Sequence, residues 1–161
     1  MKKHTLSMRV FSVLLCMAML CTFAPLTSLA EAPSPVTVGG VAVTAANAAD
    51  VLGDGTVSYD AATATLTLDG ATITDTFDDA GTAFGIFADG DLTIDVNGIN
   101  YMNLSSAAGS GAVAGIYAGG DLTVRGEGTL TVVVPNAEGL SCAVFAGGSL
   151  DYDITGESDL T

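Results

Sequence analysis

The chain has no tryptophan and a single histidine, His4. Its four basic residues are Lys2, Lys3, Arg9 and Arg125, so everything after residue 30 carries one base. That scarcity removes whole classes of chemistry from residues 31–161. Without histidine no Ser-His-Asp or Cys-His arrangement can be assembled, nor a histidine-ligated zinc site. A phosphate loop of the P-loop type would lack its lysine. Eighteen acids against one base give residues 31–161 a formal charge of −17. Such a surface repels nucleic acid and anionic headgroups, whose binding needs Lys and Arg to neutralise phosphates. Of the three cysteines only Cys142 lies beyond residue 30, which excludes an internal disulfide in that part. Between Ser141 and Ala143 it reads as a buried small apolar residue and not as a reactive thiol.

Most of the basic residues cluster at the start. Lys2, Lys3 and Arg9 precede or open an apolar run over residues 10–20, and Ser28-Leu29-Ala30 offers the small residues of a cleavage site. This pattern predicts a secretory signal peptide over residues 1–30. It implies a secreted or cell-surface protein with no membrane insertion after cleavage. An uncleaved anchor is the competing reading, but the run is shorter than the roughly 20 residues that span a bilayer. Neither Cys16 nor Cys21 follows the small residue expected before a lipid-attached cysteine.

What remains is rich in Gly, Ala, Val, Leu and Thr, and it repeats. A 19-residue pattern reads GIFADGDLTIDVNGINYMN from Gly85, GIYAGGDLTVRGEGTLTVV from Gly115 and AVFAGGSLDYDITGESDLT from Ala143. The start points are 30 and then 28 residues apart. A period in that range, made of short β-type runs and glycine turns, predicts a solenoid. Ile86, Ile116 and Val144 share a column, as do Ala88, Ala118 and Ala146. Leu92, Leu122 and Leu150 form a third, and Ile94, Val124 and Tyr152 a fourth. Polar columns alternate with them: Thr93, Thr123 and Asp151, then Asp95, Arg125 and Asp153. Period-two alternation puts the apolar columns inside and the polar ones in water. Gly90, Gly120 and Gly148 recur at one bend, and Gly98, Gly128 and Gly156 at the next. A glycine repeated at a bend predicts either a positive φ or coils packed too closely for a side chain.

The expected fold is all-β: a right-handed parallel β-helix of about four coils, each strand bonded to its equivalents about 4.8 Å above and below. A β-sandwich would show strands at 8–12-residue spacing without in-register copies, and a propeller needs blades of about 40 residues or more. Ahead of the repeats, residues 31–35 read as a linker and residues 36–54 as an N-terminal hairpin and cap. VTVGGVAVT over residues 36–44 alternates around Gly39-Gly40, a tight hairpin turn. AANAADVL over residues 45–52 reads as a short helix with Asn47 as its cap. Residues 55–161 hold the coils. The first is degenerate, with Leu66-Thr67-Leu68 resembling the Leu-Thr-Ile or Leu-Thr-Val of later copies. Residues 75–82 read as an acidic loop. The last copy stops halfway round its coil at Thr161, so further coils and domains of a longer chain are expected.

With these residue types, chemistry falls to carboxylates, hydroxyls, a few aromatics and one arginine. Asp91 and Asp121 occupy one column in adjacent coils. Like charges about 4.8 Å apart repel by roughly 1 kcal/mol in water and more at a protein surface. They splay apart, share a proton or bind a cation. Asp89 and Asp95 flank the same strand, and Asp151 and Asp153 continue the acidic side on the third copy. Hard oxygen ligands in a secreted protein favour Ca²⁺; a solvated acidic face is the alternative. Phe87, Tyr117 and Phe145 form an aromatic column that strict alternation places outside, where rings can stack on sugars. Otherwise the column packs under the acidic loop or the hairpin. Arg125, at the position of Asp95 and Asp153, reads as a charge partner for them. An arginine with Ca²⁺ would also suit a polysaccharide lyase, and an Asp pair a glycoside hydrolase.

GVAVT…DVLGDGTVSYDAATATLTLDGATIT, followed by GIFADGDLTI and GIYAGGDLTVRGEGTLTV, resembles a family of secreted carbohydrate-binding-domain proteins of Gram-positive anaerobes. That family is similar to a clostridial calcium-containing β-helix that binds cellulose and acidic plant polysaccharides such as pectin. The resemblance covers about residues 36–161. It implies an extracellular, non-catalytic module for plant or cell-wall polysaccharide, assisted by Ca²⁺. An adhesin or structural stalk is the second expectation, and a pectin-active lyase or hydrolase the third.

Overall fold

A computed structural model describes residues 35–107 and 110–155 and the backbone of residues 158–160. The signal segment and the first four linker residues lie outside the described residues, as does Gly156. Strand β1 (Val36–Val38) turns through Gly39 and Gly40 into β2 (Val41–Ala42). Both glycines have positive φ, +54° and +77°, as the expected two-residue hairpin turn requires. A second hairpin joins β3 (Val57–Asp60) to β4 (Thr65–Asp69), and β5 (Thr72–Ile73) and β6 (Phe77–Asp79) follow.

Three full coils then wind in succession. The first is β7 (Thr82–Ala88), β8 (Leu92–Asn97) and β9 (Ile99–Asn103). Next come β10 (Ala112–Ala118), β11 (Leu122–Gly126) and β12 (Thr129–Val133), and the third coil is β13 (Ser141–Ala146), β14 (Leu150–Ile154) and β15 (Ser158–Leu160). Equivalent strands pair in parallel and make three sheets: A from β7, β10 and β13, B from β8, β11 and β14, and C from β9, β12 and β15. The parallel β-solenoid read from the repeat is the observed architecture. The columns fall in register: Ile86 with Ile116 and Val144, Leu92 with Leu122 and Leu150, Asp95 with Arg125 and Asp153. Because side chains of a strand alternate between faces, one apolar column per two residues suffices to fill a narrow interior. Leu92 and Leu122 are buried in it, whereas Leu150, at the end of the same row, is 51% exposed.

The degenerate first coil is partial. β4 and β5 extend sheets B and C in parallel beneath β8 and β9, but β1 and β6 take the corresponding edge of β7 in antiparallel fashion. The partial coil and three full turns make up the roughly four coils expected, the first of them degenerate. Leu66 lies beside Ile94 and Leu68 beside Val96, two residues on from the register that the resemblance to Leu92-Thr93-Ile94 predicts. A two-residue shift preserves which face each side chain takes, so both leucines still reach the core.

Two local expectations fail. Residues 45–52 form turns, and no α-helix occurs among the described residues. Asn47 does not cap a helix; its side-chain oxygen accepts the Thr44 amide at 2.6 Å and its amide donates to Ala42 O at 3.1 Å. Side-chain bonds of this local kind offer the backbone an alternative to helix. The acidic stretch over residues 75–82 is not simply a loop, because Phe77, Asp78 and Asp79 make β6 and a two-residue turn returns the chain into β7.

Candidate functional site

The aromatic column stands on the outer face of sheet A. Phe87, Tyr117 and Phe145 are register partners in β7, β10 and β13. Their ring centroids are 5.4 and 5.1 Å apart, with planes 4° and 2° from parallel. Stacked strands impose this spacing, and ring pairs at such distances add favourable contact beyond their buried area. Phe77 packs against Phe87 at the lower end, 5.4 Å away and tilted by 51°. Both sequence readings of the column thus meet: it points outward, and a residue of the acidic stretch covers one end. Among the described residues no further ring stacks beyond Phe145, which is 39% exposed.

Strict alternation misses one member of the cluster. Phe84 lies 5.2 Å from both Phe87 and Tyr117 and 6.4 Å from Phe77, although Ile86 and Ala88, of the same parity, point into the core. The reason is Gly85. A Cβ built there would sit 2.6 Å from the Met102 sulfur and 2.8 Å from Gly115 O, so Gly85 faces inward and so does Ile86 after it. Two inward neighbours in succession reverse the phase of the strand. Phe84 and Phe87, three apart, consequently share the outer face. Gly115 repeats the device in the next coil, its virtual Cβ colliding with Val132 and Ala143.

Phe84 is replaced by Ala114 and Cys142 in the coils above. The smaller side chains leave a groove of about 230 Å³ beside the ladder, with Thr82, Phe84, Tyr117, Leu140 and Phe145 among its walls. Its lining is almost wholly carbon. Cys142 is half-buried and not buried as its sequence context suggests, and partial burial pushes its thiol up, which favours the protonated form.

Two of the carboxylates bond to the backbone of the coil above. Asp91 Oδ1 accepts the backbone amide of Asp121 at 2.8 Å, and Asp121 Oδ1 accepts the amide of Ser149 at 2.8 Å. Each carboxylate thus stitches its coil to the next. The column glycines make room for this, since a Cβ at Gly120 or Gly148 would collide with the carboxylate oxygen of Asp91 or Asp121. Close approach, the second of the two expected causes, explains glycine at that bend; Gly98, at the other, has φ +65°. Hydrogen bonds from Ser149, its backbone amide first and its hydroxyl second, hold the Asp121 carboxyl below the usual carboxylate value.

The six aspartates expected to gather around Ca²⁺ divide between two places. Asp89, Asp91 and Asp121 lie at the corner between sheets A and B, whereas Asp95, Asp151 and Asp153 lie on strands of sheet B. Among the described residues no group of three or more His, Cys, Asp or Glu is close enough to hold a metal. Arg125 Nε is 3.9 Å from Asp95 Oδ2, both side chains partly exposed. The pairing with Asp95 is the expected one, but its length makes it a weak charge contact.

Sequence reasoning overlooked Asn100, a buried polar residue. Its oxygen accepts the Ala71 amide at 2.8 Å, and its amide group donates to Asn97 O at 2.8 Å and Thr129 O at 3.2 Å. It ties the partial coil to the two above it. Its alignment with Leu130, an inward position, is the one sequence signal that marks it. Compared with known proteins, the chain matches no family, no curated protein and no solved structure.

Proposed function

We propose that the protein is a secreted or surface-displayed, non-catalytic carbohydrate-binding module that holds a plant or cell-wall polysaccharide on the outer aromatic face of sheet A. The observation that carries this reading is the Phe87–Tyr117–Phe145 ladder beside an apolar groove. Aromatic side chains give rigid contact area at low entropic cost, and the apolar C–H face of a sugar is a suitable complement. Because the rings stack on one another, the open contacts are their outer edges and the groove. The resemblance of the repeats to extracellular carbohydrate-binding proteins and the signal-like start support the same reading. For an acidic glycan, a Ca²⁺ bridge would offset repulsion from the acidic surface.

The test is retention on insoluble and soluble polysaccharides, neutral and charged, with and without chelator. Retention lost in Tyr117→Ala and Phe145→Ala, with far-UV circular dichroism unchanged, is the expected result. Retention that chelator leaves intact removes the calcium part alone. No retention on any glycan overturns the reading and favours a solenoid that only spaces other domains.

A further inference from the structure

We infer that the glycan held on the aromatic face is one bearing free ammonium groups, a 2-amino-2-deoxy polysaccharide. This rests on the carbohydrate-binding reading and deepens it. The groove itself is apolar and specifies little beyond a carbon-rich surface. Selectivity then falls to its rim, and the charge there has one sign. Asp79 pairs with Thr82 across the β6–β7 hairpin, and Thr82 lines the groove. On β6, Asp79 lies two residues from Phe77 and so on the same face as that ring. Glu138 stands two residues before Leu140, which also lines the groove. Both acids are exposed.

No opposing base is near. Arg125, the one base in residues 31–161, lies on sheet B opposite Asp95. A uronate polymer would therefore meet repulsion at that rim. A neutral polymer would gain nothing from the rim. A polymer with an ammonium on each sugar gains attraction at each acid and keeps the same C–H faces for the rings. The formal charge of −17 adds long-range steering of a polycation, which salt weakens.

The test uses three soluble probes against the purified protein: oligomers of β-1,4-linked glucosamine, the same oligomers fully N-acetylated, and oligogalacturonate. Titrations run at a pH where the amines are protonated. At low salt the amine oligomers are expected to bind roughly tenfold tighter than the acetylated ones, the gain of about two exposed charge pairs. The gap is expected to close in about 0.5 M salt. Asp79→Asn and Glu138→Gln together, both at exposed positions, should bring the amine oligomers down to the affinity of the acetylated ones. Phe145→Ala should weaken the amine and acetylated oligomers alike.

Equal or tighter binding of the acetylated oligomers, or preference for oligogalacturonate, overturns this inference and leaves the carbohydrate-binding reading standing. Amine-oligomer binding that polylysine matches and Phe145→Ala does not weaken is charge attraction alone, and it also overturns the inference. Failure of all three oligomers to bind overturns this inference, and only the further absence of retention on every other glycan overturns the carbohydrate-binding reading.

Discussion

The carboxylate of Asp91 and the backbone amide of Asp121, thirty residues apart in sequence, are joined by a hydrogen bond of 2.8 Å. The same bond recurs one coil higher between Asp121 and Ser149. Both acids act as fasteners between coils, and serine takes the aspartate position in the third coil.

This arrangement has a pH signature. The Asp121 carboxyl is held below its usual value by the Ser149 amide and hydroxyl. A depressed folded-state pKa adds stability that is present above the unfolded value and is lost as pH falls through the folded one. The thermal midpoint should therefore decline below about pH 3.9, and Asp121→Asn should flatten that part of the profile. An unchanged slope in the variant would remove Asp121 from the acid response.

Gly120 and Asp91 should behave as a coupled pair. Gly120→Ala places a methyl against the Asp91 carboxylate and is expected to cost about 2 kcal/mol or more, as overpacking and a broken hydrogen bond combine. In the Asp91→Ala background the same substitution should cost less, with a coupling energy of about 1 kcal/mol by urea denaturation. Additive effects would show that the carboxylate is not what excludes a side chain.

Asn100→Leu tests the buried network. Leucine matches Leu130 in the column above, yet it leaves the Ala71 amide without its acceptor. Loss of stability of about 1–3 kcal/mol is expected, the cost of an orphaned buried donor. A variant as stable as the original would mean that apolar packing compensates in full.

The β6–β7 turn offers a stabilising change. Ala80 sits at φ +49°, a left-handed conformation that costs an L-residue with a Cβ roughly 1 kcal/mol. Ala80→Asn should raise stability by a few tenths to about 1 kcal/mol, read as a higher urea midpoint at constant m-value. A lower midpoint would indicate that Ala80 makes contacts which outweigh the strain.

The columns were legible because they are local facts repeated. Leu92, Leu122 and Leu150 occupy equivalent positions, so any winding that pairs one set of strands in register must stack them all. The outward placement of Phe87, Tyr117 and Phe145 follows from the same alternation. Phe77 and Phe84 were not legible. One belongs to a stretch that reads as loop, and the other changes face because Gly85 reverses the phase of β7. Asn100 was ambiguous for a related reason: INYMN alternates equally well with Asn100 and Met102 inside or with Ile99 and Tyr101 inside. The structure selects the former, leaving Ile99 79% exposed.

The sequence by itself determined the solenoid, its period, its interior rows and the near-uniform sign of its charge, because these depend on alternation within strands and on composition. Only the tertiary structure decided that Phe77 and Phe84 join the ladder on the outer face of sheet A, and that Asp91 and Asp121 serve the backbone of the next coil. Those outcomes turn on distances between residues about thirty positions apart and on a single inward glycine, neither of which a one-dimensional pattern encodes.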